Sequence, residues 1–186
     1  MKKNNTLWLL LLALCSLLAS CKKENTPQDE LSKLPPITQT GANTFGCLVN
    51  GIAWLPNGSK PQYGGPNPNV YVDPTFQGGA FYVTGHQYKI PGSIISIGSG
   101  NCISTGIYNL SNNVNAASYS KSILGSLPCE LSSADVGTFK NGFLNVTRYD
   151  LSSGIFSGTF EFKLFNSQSL CGDTIRITNG RFDVKL

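Results

Sequence analysis

Short stretches in which apolar residues occupy every second position constrain this chain more than any other feature of its sequence. They recur between residues 44 and 186, separated by Gly, Pro, Asn and Ser. No stretch there carries a sustained apolar repeat near 3.6 residues, whereas period-two alternation between turn signals is typical of half-buried β-strands. The sequence therefore predicts an all-β domain, either an antiparallel β-sandwich or a partly open β-barrel, built from hairpins.

The longest predicted strand spans residues 155–165, after a hairpin loop at residues 150–154. Its apolar face holds Phe156, Phe160, Phe162 and Leu164, and its polar face holds Ser157, Thr159, Glu161 and Lys163. Gly158 lies on the apolar face, where a missing side chain permits a bulge or a close backbone approach. The alternation predicts further strands at residues 70–72, 80–84, 93–97 and 106–110, and it gives no prediction for the polar stretch 111–118.

Outside the loop at residues 56–69, three Asn-Gly pairs predict two-residue turns, because both residues tolerate positive φ. The turn at Asn50-Gly51 sets Cys47 opposite Trp54, and the apolar face of this hairpin is Phe45, Cys47, Val49, Ile52 and Trp54. We interpret Trp54 as a core residue rather than a ligand platform, because its whole face is apolar.

The other two Asn-Gly pairs lie further along the chain. Asn141-Gly142 predicts a hairpin between strands at residues 137–140 and 143–149. Asn179-Gly180 predicts a hairpin that sets Arg176 opposite Asp183 as a surface ion pair, and the alternative is one long bent strand through Gly180. Pairing across the turn gathers four apolar residues on one side: Ile175, Ile177, Phe182 and Val184.

The N-terminus has the order of a secretory signal peptide: basic Lys2 and Lys3, an apolar run over residues 7–18, and small residues before Cys21. The run is shorter than the roughly 20 apolar residues of a membrane-spanning helix, although an uncleaved anchor helix is the alternative. The ending Leu-Ala-Ser-Cys resembles a bacterial lipobox. That resemblance implies removal of residues 1–20, acylation of Cys21 with fatty chains such as palmitate, and an outer-membrane anchor. It leaves open whether the domain faces the periplasm or the cell surface.

Residues 21–43 are predicted to form a lipidated flexible tether. They contain Pro27, Pro35 and Pro36 among polar residues, and such a composition buries too little apolar surface to offset ordering. Residues 44–186 then form a single domain by length.

The charge of the chain argues against a nucleic-acid partner. The sequence has 14 basic and 10 acidic residues, and loss of Lys2 and Lys3 leaves 12 basic residues and a net charge of +2. These charges are scattered, without the basic stripe of a nucleic-acid binder.

Four cysteines follow Cys21: Cys47, Cys102, Cys129 and Cys171. An even number in an exported protein predicts two disulfides, with three possible pairings. We favour Cys102 with Cys129 and Cys47 with Cys171. Their wide spacing and the single histidine do not match a metal site, since such sites use closely spaced ligand pairs.

Residues for catalysis are sparse, so we expect no catalytic residues and no cofactor. His86 is the only histidine and is predicted to lie at a solvated turn. Ser157 does not lie in a nucleophile elbow. The acidic residues are spread along the chain, whereas glycoside hydrolysis needs two in one cleft.

Residues for binding lie in and after the long Pro-, Gly- and Asn-rich loop at residues 56–69. Rings stack on the apolar faces of sugars and amides bond their hydroxyls, so the candidate ligand residues are Tyr63, Asn67, Asn69 and Tyr71. The alternative is an ordinary connection between strands. The triplet Asp173-Thr174-Ile175 resembles the O-glycosylation pattern of exported Bacteroidota proteins, which makes Thr174 a candidate modification site.

Several segments, taken in order, resemble one family. They are Val49-Asn50-Gly51 with Trp54, then residues 106–110, 142–150 and 157–162, and finally residues 175–184. The family comprises uncharacterised Bacteroidota lipoproteins and secreted proteins, catalogued as a domain of unknown function. The resemblance implies an extracytoplasmic β domain and carries no reaction.

These observations favour a membrane-anchored exported lipoprotein whose non-enzymatic β domain has a structural or binding role. The alternatives are a cell-envelope glycan-binding module and an extracytoplasmic hydrolase. The expected partners are the membrane, through the N-terminal lipid, and a glycan or an envelope protein.

Overall fold

The computed structural model describes residues 26–58, 65–76, 78–89, 91–110, 114–122, 127–172 and 174–186. The predicted signal peptide, Cys21 and Tyr63 lie outside these ranges. The described residues form one short helix, α1 (Pro27–Leu31), and eleven strands. The strands are β1 (Thr44–Val49), β2 (Ile52–Trp54), β3 (Asn69–Asp73), β4 (Ala80–Gln87), β5 (Ser93–Ser99), β6 (Gly106–Asn109), β7 (Asn115–Lys121), β8 (Cys129–Ser132), β9 (Phe139–Asp150), β10 (Ile155–Phe165) and β11 (Thr174–Lys185).

The strands form two antiparallel sheets that pack face to face. Sheet A has the order β2-β1-β11-β10-β9-β6, and sheet B has the order β3-β4-β5-β7-β8. The ring of Phe81 in sheet B lies 5.8 Å from that of Phe156 and 5.7 Å from that of Phe182, both in sheet A. The predicted all-β fold is confirmed, and it is a β-sandwich.

The first hairpin has the predicted register, with Cys47 opposite Trp54 and Val49 opposite Ile52. Trp54 is 6% exposed, and its Nε1–H donates to the Ser93 hydroxyl in the other sheet at 2.8 Å. Its interpretation as a core residue is confirmed. Ile52, however, is 67% exposed, because it begins the three-residue edge strand of sheet A next to the exposed turn.

The hairpins predicted at the other two Asn-Gly pairs are wrong. β9 continues through Asn141-Gly142, and β11 continues through Asn179-Gly180. Asn179 has φ +53°, and the register of β11 with β10 shifts beside it, between Phe160 and Phe162. The left-handed conformation that suits a tight turn serves here to form a β-bulge, so the alternative of a bent strand is correct.

The ion pair expected between Arg176 and Asp183 does not form. Arg176 is exposed, whereas Asp183 is 1% exposed. Ser157, expected on a solvated face, lies directly opposite Asp183 and is also buried. Asp183 and Ser157 are on the outer face of sheet A, which faces away from sheet B, so another part of the chain must cover them.

That cover is residues 26–43, which we call the strap; over this range the expectation of a flexible arm is wrong. Leu34 is buried, and Glu30 accepts a hydrogen bond from the Ala53 N–H at 2.9 Å. Pro35 lies so close to Gly46 that a Cβ there would come within 2.8 Å of the proline ring. These buried contacts hold the strap on the outer face of sheet A. The strap is therefore ordered, although its composition is typical of a flexible segment.

The disulfide pairing expected from the sequence is also wrong. Cys129 in β8 is bonded to Cys171, which follows β10, while Cys47 and Cys102 are buried free thiols. Cys129 lies on β8, an edge strand of sheet B, and Cys171 lies in the connection between β10 and β11 of sheet A, so the fold creates a proximity that sequence spacing does not reveal. No helix in the described ranges is both long enough and apolar enough to cross a membrane.

Candidate functional site

The structure separates the loop residues proposed as ligands. Asn67 is used for folding: its side chain accepts from the His86 N–H at 3.0 Å and donates to the His86 carbonyl at 2.9 Å. Tyr63 lies outside the described residues. Asn69 and Tyr71 lie on β3 and point outward from sheet B. Of the four predicted ligand residues, Asn69 and Tyr71 lie together on an exposed surface. The strands beside β3 continue this surface across sheet B.

A row of short polar side chains crosses the outer face of sheet B. The strand register aligns Asn69, Thr84, Ser96, Ser118 and Ser132, one from each strand. We call this the polar row. The Thr84 and Ser96 hydroxyls are 2.9 Å apart and hydrogen-bonded. Each of the five side chains is exposed or half-buried, so the row presents hydroxyl and amide groups to solvent.

A second row, the tyrosine row, lies beside the polar row. It consists of Tyr71, Tyr82, Gly98 and Ala116. Tyr71 is 52% exposed. The Tyr82 ring occupies the space of a side chain at Gly98, since a Cβ there would lie 2.2 Å from the Tyr82 Cδ1 atom. Tyr71 and Tyr82 therefore lie in the same row as Gly98, which has no side chain, and Ala116, which has only a methyl group.

A third row, the end row, closes the other side of the polar row. It consists of His86, Ile94, Ser120 and Glu130. Together with Tyr88 these residues line a depression of about 410 Å³. The His86 and Tyr88 rings stack at 5.2 Å with an angle of 4° between their planes. His86, expected at a turn, thus lies within β4 and forms part of a flat aromatic wall.

The composition of these rows is unusual for an exposed sheet surface. None of the three rows contains Lys or Arg, and Glu130 is their only acidic residue. Gly and Ala are depleted in strands, while solvent-facing strands are commonly protected by charged side chains. Short uncharged side chains instead leave a shallow trough in which a flat ligand could approach the backbone closely.

The acidic residues of the described ranges are held in separate local arrangements. Asp73 accepts from Thr75 in the turn after β3, Asp150 accepts from Ser152 in the turn after β9, and Asp183 lies under the strap. These three carboxylates therefore do not share one cleft. Among the residues with described positions, no group of His, Cys, Asp and Glu is arranged to hold a metal ion.

The candidate modification site, Thr174, is the first residue of β11. It is half-buried and lies directly opposite Phe165. Asp173, on which the motif depends, falls outside the described residues. Modification of Thr174 stays a prediction.

No protein-family model matches this chain, and no curated protein or solved structure matches it. The resemblance drawn from sequence segments therefore stays a prediction.

Sequence reasoning missed Tyr82, Ser96, Ser118 and the end row. The candidate ligand residues were sought in the long loop at residues 56–69, because binding residues often lie on loops. The exposed rows lie on strands instead. Ser96 and Ser118 carry a weak signal, because each is a small polar residue between inward-facing apolar neighbours. Only the strand register brings them into one row.

Proposed function

We propose that this protein is an exported, lipid-anchored, non-catalytic domain that binds a neutral glycan on the outer face of sheet B. The observation that carries the binding role is the tyrosine row beside the polar row, with Tyr71 and Tyr82 next to a trough of short side chains. Tyrosine faces stack on the apolar faces of sugar rings, and hydroxyl and amide groups bond sugar hydroxyls. Both kinds of group are needed for a ligand that is apolar on its faces and polar on its edges.

The absence of basic residues from the three rows supports a neutral ligand. A phosphate-rich or otherwise anionic polymer would be expected to meet Lys or Arg side chains. The depression at the end row, with the stacked His86 and Tyr88 rings and the Glu130 carboxylate, supports a position for one terminal sugar. Such concave sites with few polar groups are common ligand sites.

The anchor in this proposal rests on the sequence around Cys21. Mass spectrometry of the native protein is expected to recover an N-terminal peptide that begins at Cys21 and carries fatty acyl chains. A native protein that begins at Met1, or a Cys21 peptide without acyl chains, would contradict the anchor while leaving the binding surface untested by that measurement.

The binding role is tested with the full chain in detergent, first on a glycan array and then by titration with the neutral oligosaccharide that binds best. Tyr71→Ala is expected to raise the dissociation constant about five- to tenfold, since an aromatic contact contributes about 1 kcal/mol. Ser118→Lys is expected to weaken binding at least as much, because a long charged side chain would occupy the trough.

The matched control is Phe139→Ala, which truncates an aromatic ring of nearly the same exposure, 53%, on the other sheet. It should leave binding of the neutral oligosaccharide unchanged. The proposal fails if no neutral glycan binds, or if Phe139→Ala weakens binding as much as Tyr71→Ala does.

A further inference from the structure

A second surface, on the outer face of sheet A beyond the strap, carries two basic side chains, unlike the three rows on sheet B. The strand register aligns Asn141, Lys163 and Arg176 across β9, β10 and β11. They border a depression of about 300 Å³ whose lining also includes Phe143, Glu161 and Thr178. We call this depression the cationic pocket.

Lys163 and Arg176 lie directly opposite each other on neighbouring strands. Like charges in this arrangement destabilise a sheet. Within the described part of the chain, the salt bridges are Lys33 with Glu30 and Arg148 with Asp150, so neither cation of the pocket is paired with a carboxylate. The Lys163 ammonium lies 6.0 Å from the centroid of the Phe139 ring, and an anion bound at the edge of the depression would offset the repulsion between Lys163 and Arg176.

The neighbouring side chains indicate which other chemical groups the bound anion has. Glu161 lines the same pocket and accepts a hydrogen bond from the Asn179 N–H at 3.1 Å. A carboxylate there repels a multiply charged group such as inorganic phosphate, but it can accept hydrogen bonds from hydroxyls. Asn141 and Thr178 add further polar groups, and Phe143 adds a ring.

We propose that the cationic pocket binds a sugar unit that bears a carboxylate, such as a hexuronic acid. The Arg176 guanidinium and the Lys163 ammonium hold the sugar carboxylate, since guanidinium groups match the geometry of carboxylates. Asn141, Glu161 and Thr178 bond its hydroxyls, and the Phe143 ring packs against its apolar face. This inference does not depend on the neutral-glycan site, because the two surfaces are on opposite sheets.

The test titrates the full chain in detergent with a trisaccharide of galacturonic acid. Arg176→Gln and Lys163→Gln are each expected to raise its dissociation constant about tenfold, the loss that accompanies removal of one charge-assisted hydrogen bond. Arg176→Lys, which keeps the charge but loses the planar fork, should show a smaller loss. Binding should weaken when salt rises from about 50 mM to about 500 mM, because the pocket is open to solvent.

Three controls distinguish the ligand and the site. Lys185→Gln removes an exposed charge from the far end of β11 and should leave uronate binding unchanged, as should Tyr71→Ala on sheet B. The neutral galactose trisaccharide should not compete. The thermal midpoint of each variant shows whether it remains folded.

The proposal is overturned if the uronate trisaccharide does not bind, or if Lys185→Gln weakens it as much as Arg176→Gln does. Displacement of the trisaccharide by equal concentrations of inorganic phosphate or glycerol phosphate would also overturn it, because the pocket would then recognise any small anion or a lipid headgroup. Failure of neutral-glycan binding with uronate binding intact would refute only the proposed function.

Discussion

Asp183 shows how one side chain fixes the relation between the strap and the sandwich. Its carboxylate accepts hydrogen bonds from the Thr38 hydroxyl at 2.6 Å, the Ser157 hydroxyl at 2.7 Å and the Gly41 N–H at 2.8 Å. The N–H groups of Thr40 and Ala42 also donate to it. A buried carboxylate would be costly alone, and these donors replace the water that it loses.

The titration of Asp183 follows from this environment. Burial by itself raises the pKa of the carboxyl group, but the hydrogen bonds from Thr38, Ser157, Thr40 and Gly41 outweigh it, so the pKa lies below its ordinary value. An unfolded aspartate has a pKa of about 3.9. The contribution of Asp183 to stability is therefore complete above that pH and is lost as the pH falls below it towards the folded-state pKa.

We expect Asp183→Asn to lower the free energy of unfolding by about 2–3 kcal/mol at pH 7, because several buried donors lose a charged acceptor. The difference between wild type and variant should shrink as the pH falls from about 5 to about 2. Urea unfolding at a series of pH values measures both. Asp135→Asn, in an exposed turn, is the control and should change stability by no more than about 0.5 kcal/mol. A difference that stays constant down to pH 2 would contradict this account.

Among the elements, the strap is held by side-chain contacts distant in sequence rather than by a strand ladder. Its only regular structure is α1, five residues long, with Thr26 as N-cap and Asp29 completing a capping box. A helix this short is not stable alone. The strap is held instead by Leu34, Glu30 and the Asp183 carboxylate.

We predict that the amides of Thr40, Gly41 and Ala42 are protected from hydrogen exchange in the wild type and lose protection together in Asp183→Asn, because all three donate to that carboxylate. Exchange measured by NMR or mass spectrometry on the full chain provides the test. Val83 and Ile97, opposite each other in the centre of sheet B, should remain protected in both proteins. Rapid exchange of the three amides in the wild type would show that the strap is not held in solution.

The elements also show what the sequence could predict. Strands with alternating apolar residues were found, and the longest predicted strand corresponds to β10, which has the predicted bounds Ile155–Phe165. The register shift beside Gly158 agrees with the expected irregularity. β7 was missed because its sequence, Asn-Ala-Ala-Ser-Tyr-Ser-Lys, has no β-branched residue and only small apolar ones besides Tyr119.

The candidate site was less predictable than the strands. Asn69 and Tyr71 were identified from residue type, but Thr84, Ser96 and Ser118 join them only through pairing between strands that are distant in sequence. Asn141-Gly142 and Asn179-Gly180 did not form the predicted turns for a related reason. Their left-handed preference is local, whereas neighbouring strands decide whether a turn or a bulge forms.

At the scale of the whole molecule, the disulfide joins the two sheets. Cys129 belongs to an edge strand of sheet B, and Cys171 follows β10 of sheet A. The bond closes a segment with a sequence separation of 42 that contains β9 and β10. It therefore restricts the unfolded chain across the sandwich rather than within one hairpin.

We expect the double variant Cys129→Ala/Cys171→Ala to be less stable by about 3–4 kcal/mol, since a loop of this length loses that much closure entropy when cross-linked. The thermal midpoint should fall by about 10 °C, as measured by circular dichroism. Removal of the buried thiol at Cys47 by substitution with Ser is not a suitable comparison, because it would place a hydroxyl in the core. The matched comparison is the wild type with and without reductant, which should reproduce the effect of the double variant.

The same pairing makes a chemical prediction that separates it from every other arrangement of the four cysteines. Burial raises the pKa of the Cys47 and Cys102 thiols, and both are buried, so neither should react with an alkylating reagent while the protein is folded. In denaturant without reductant, peptides containing Cys47 and Cys102 should become labelled, and those containing Cys129 and Cys171 should become labelled only after reduction. Labelling of Cys129 or Cys171 before reduction, or protection of Cys47 and Cys102 in denaturant, would show that the disulfide pairing is different.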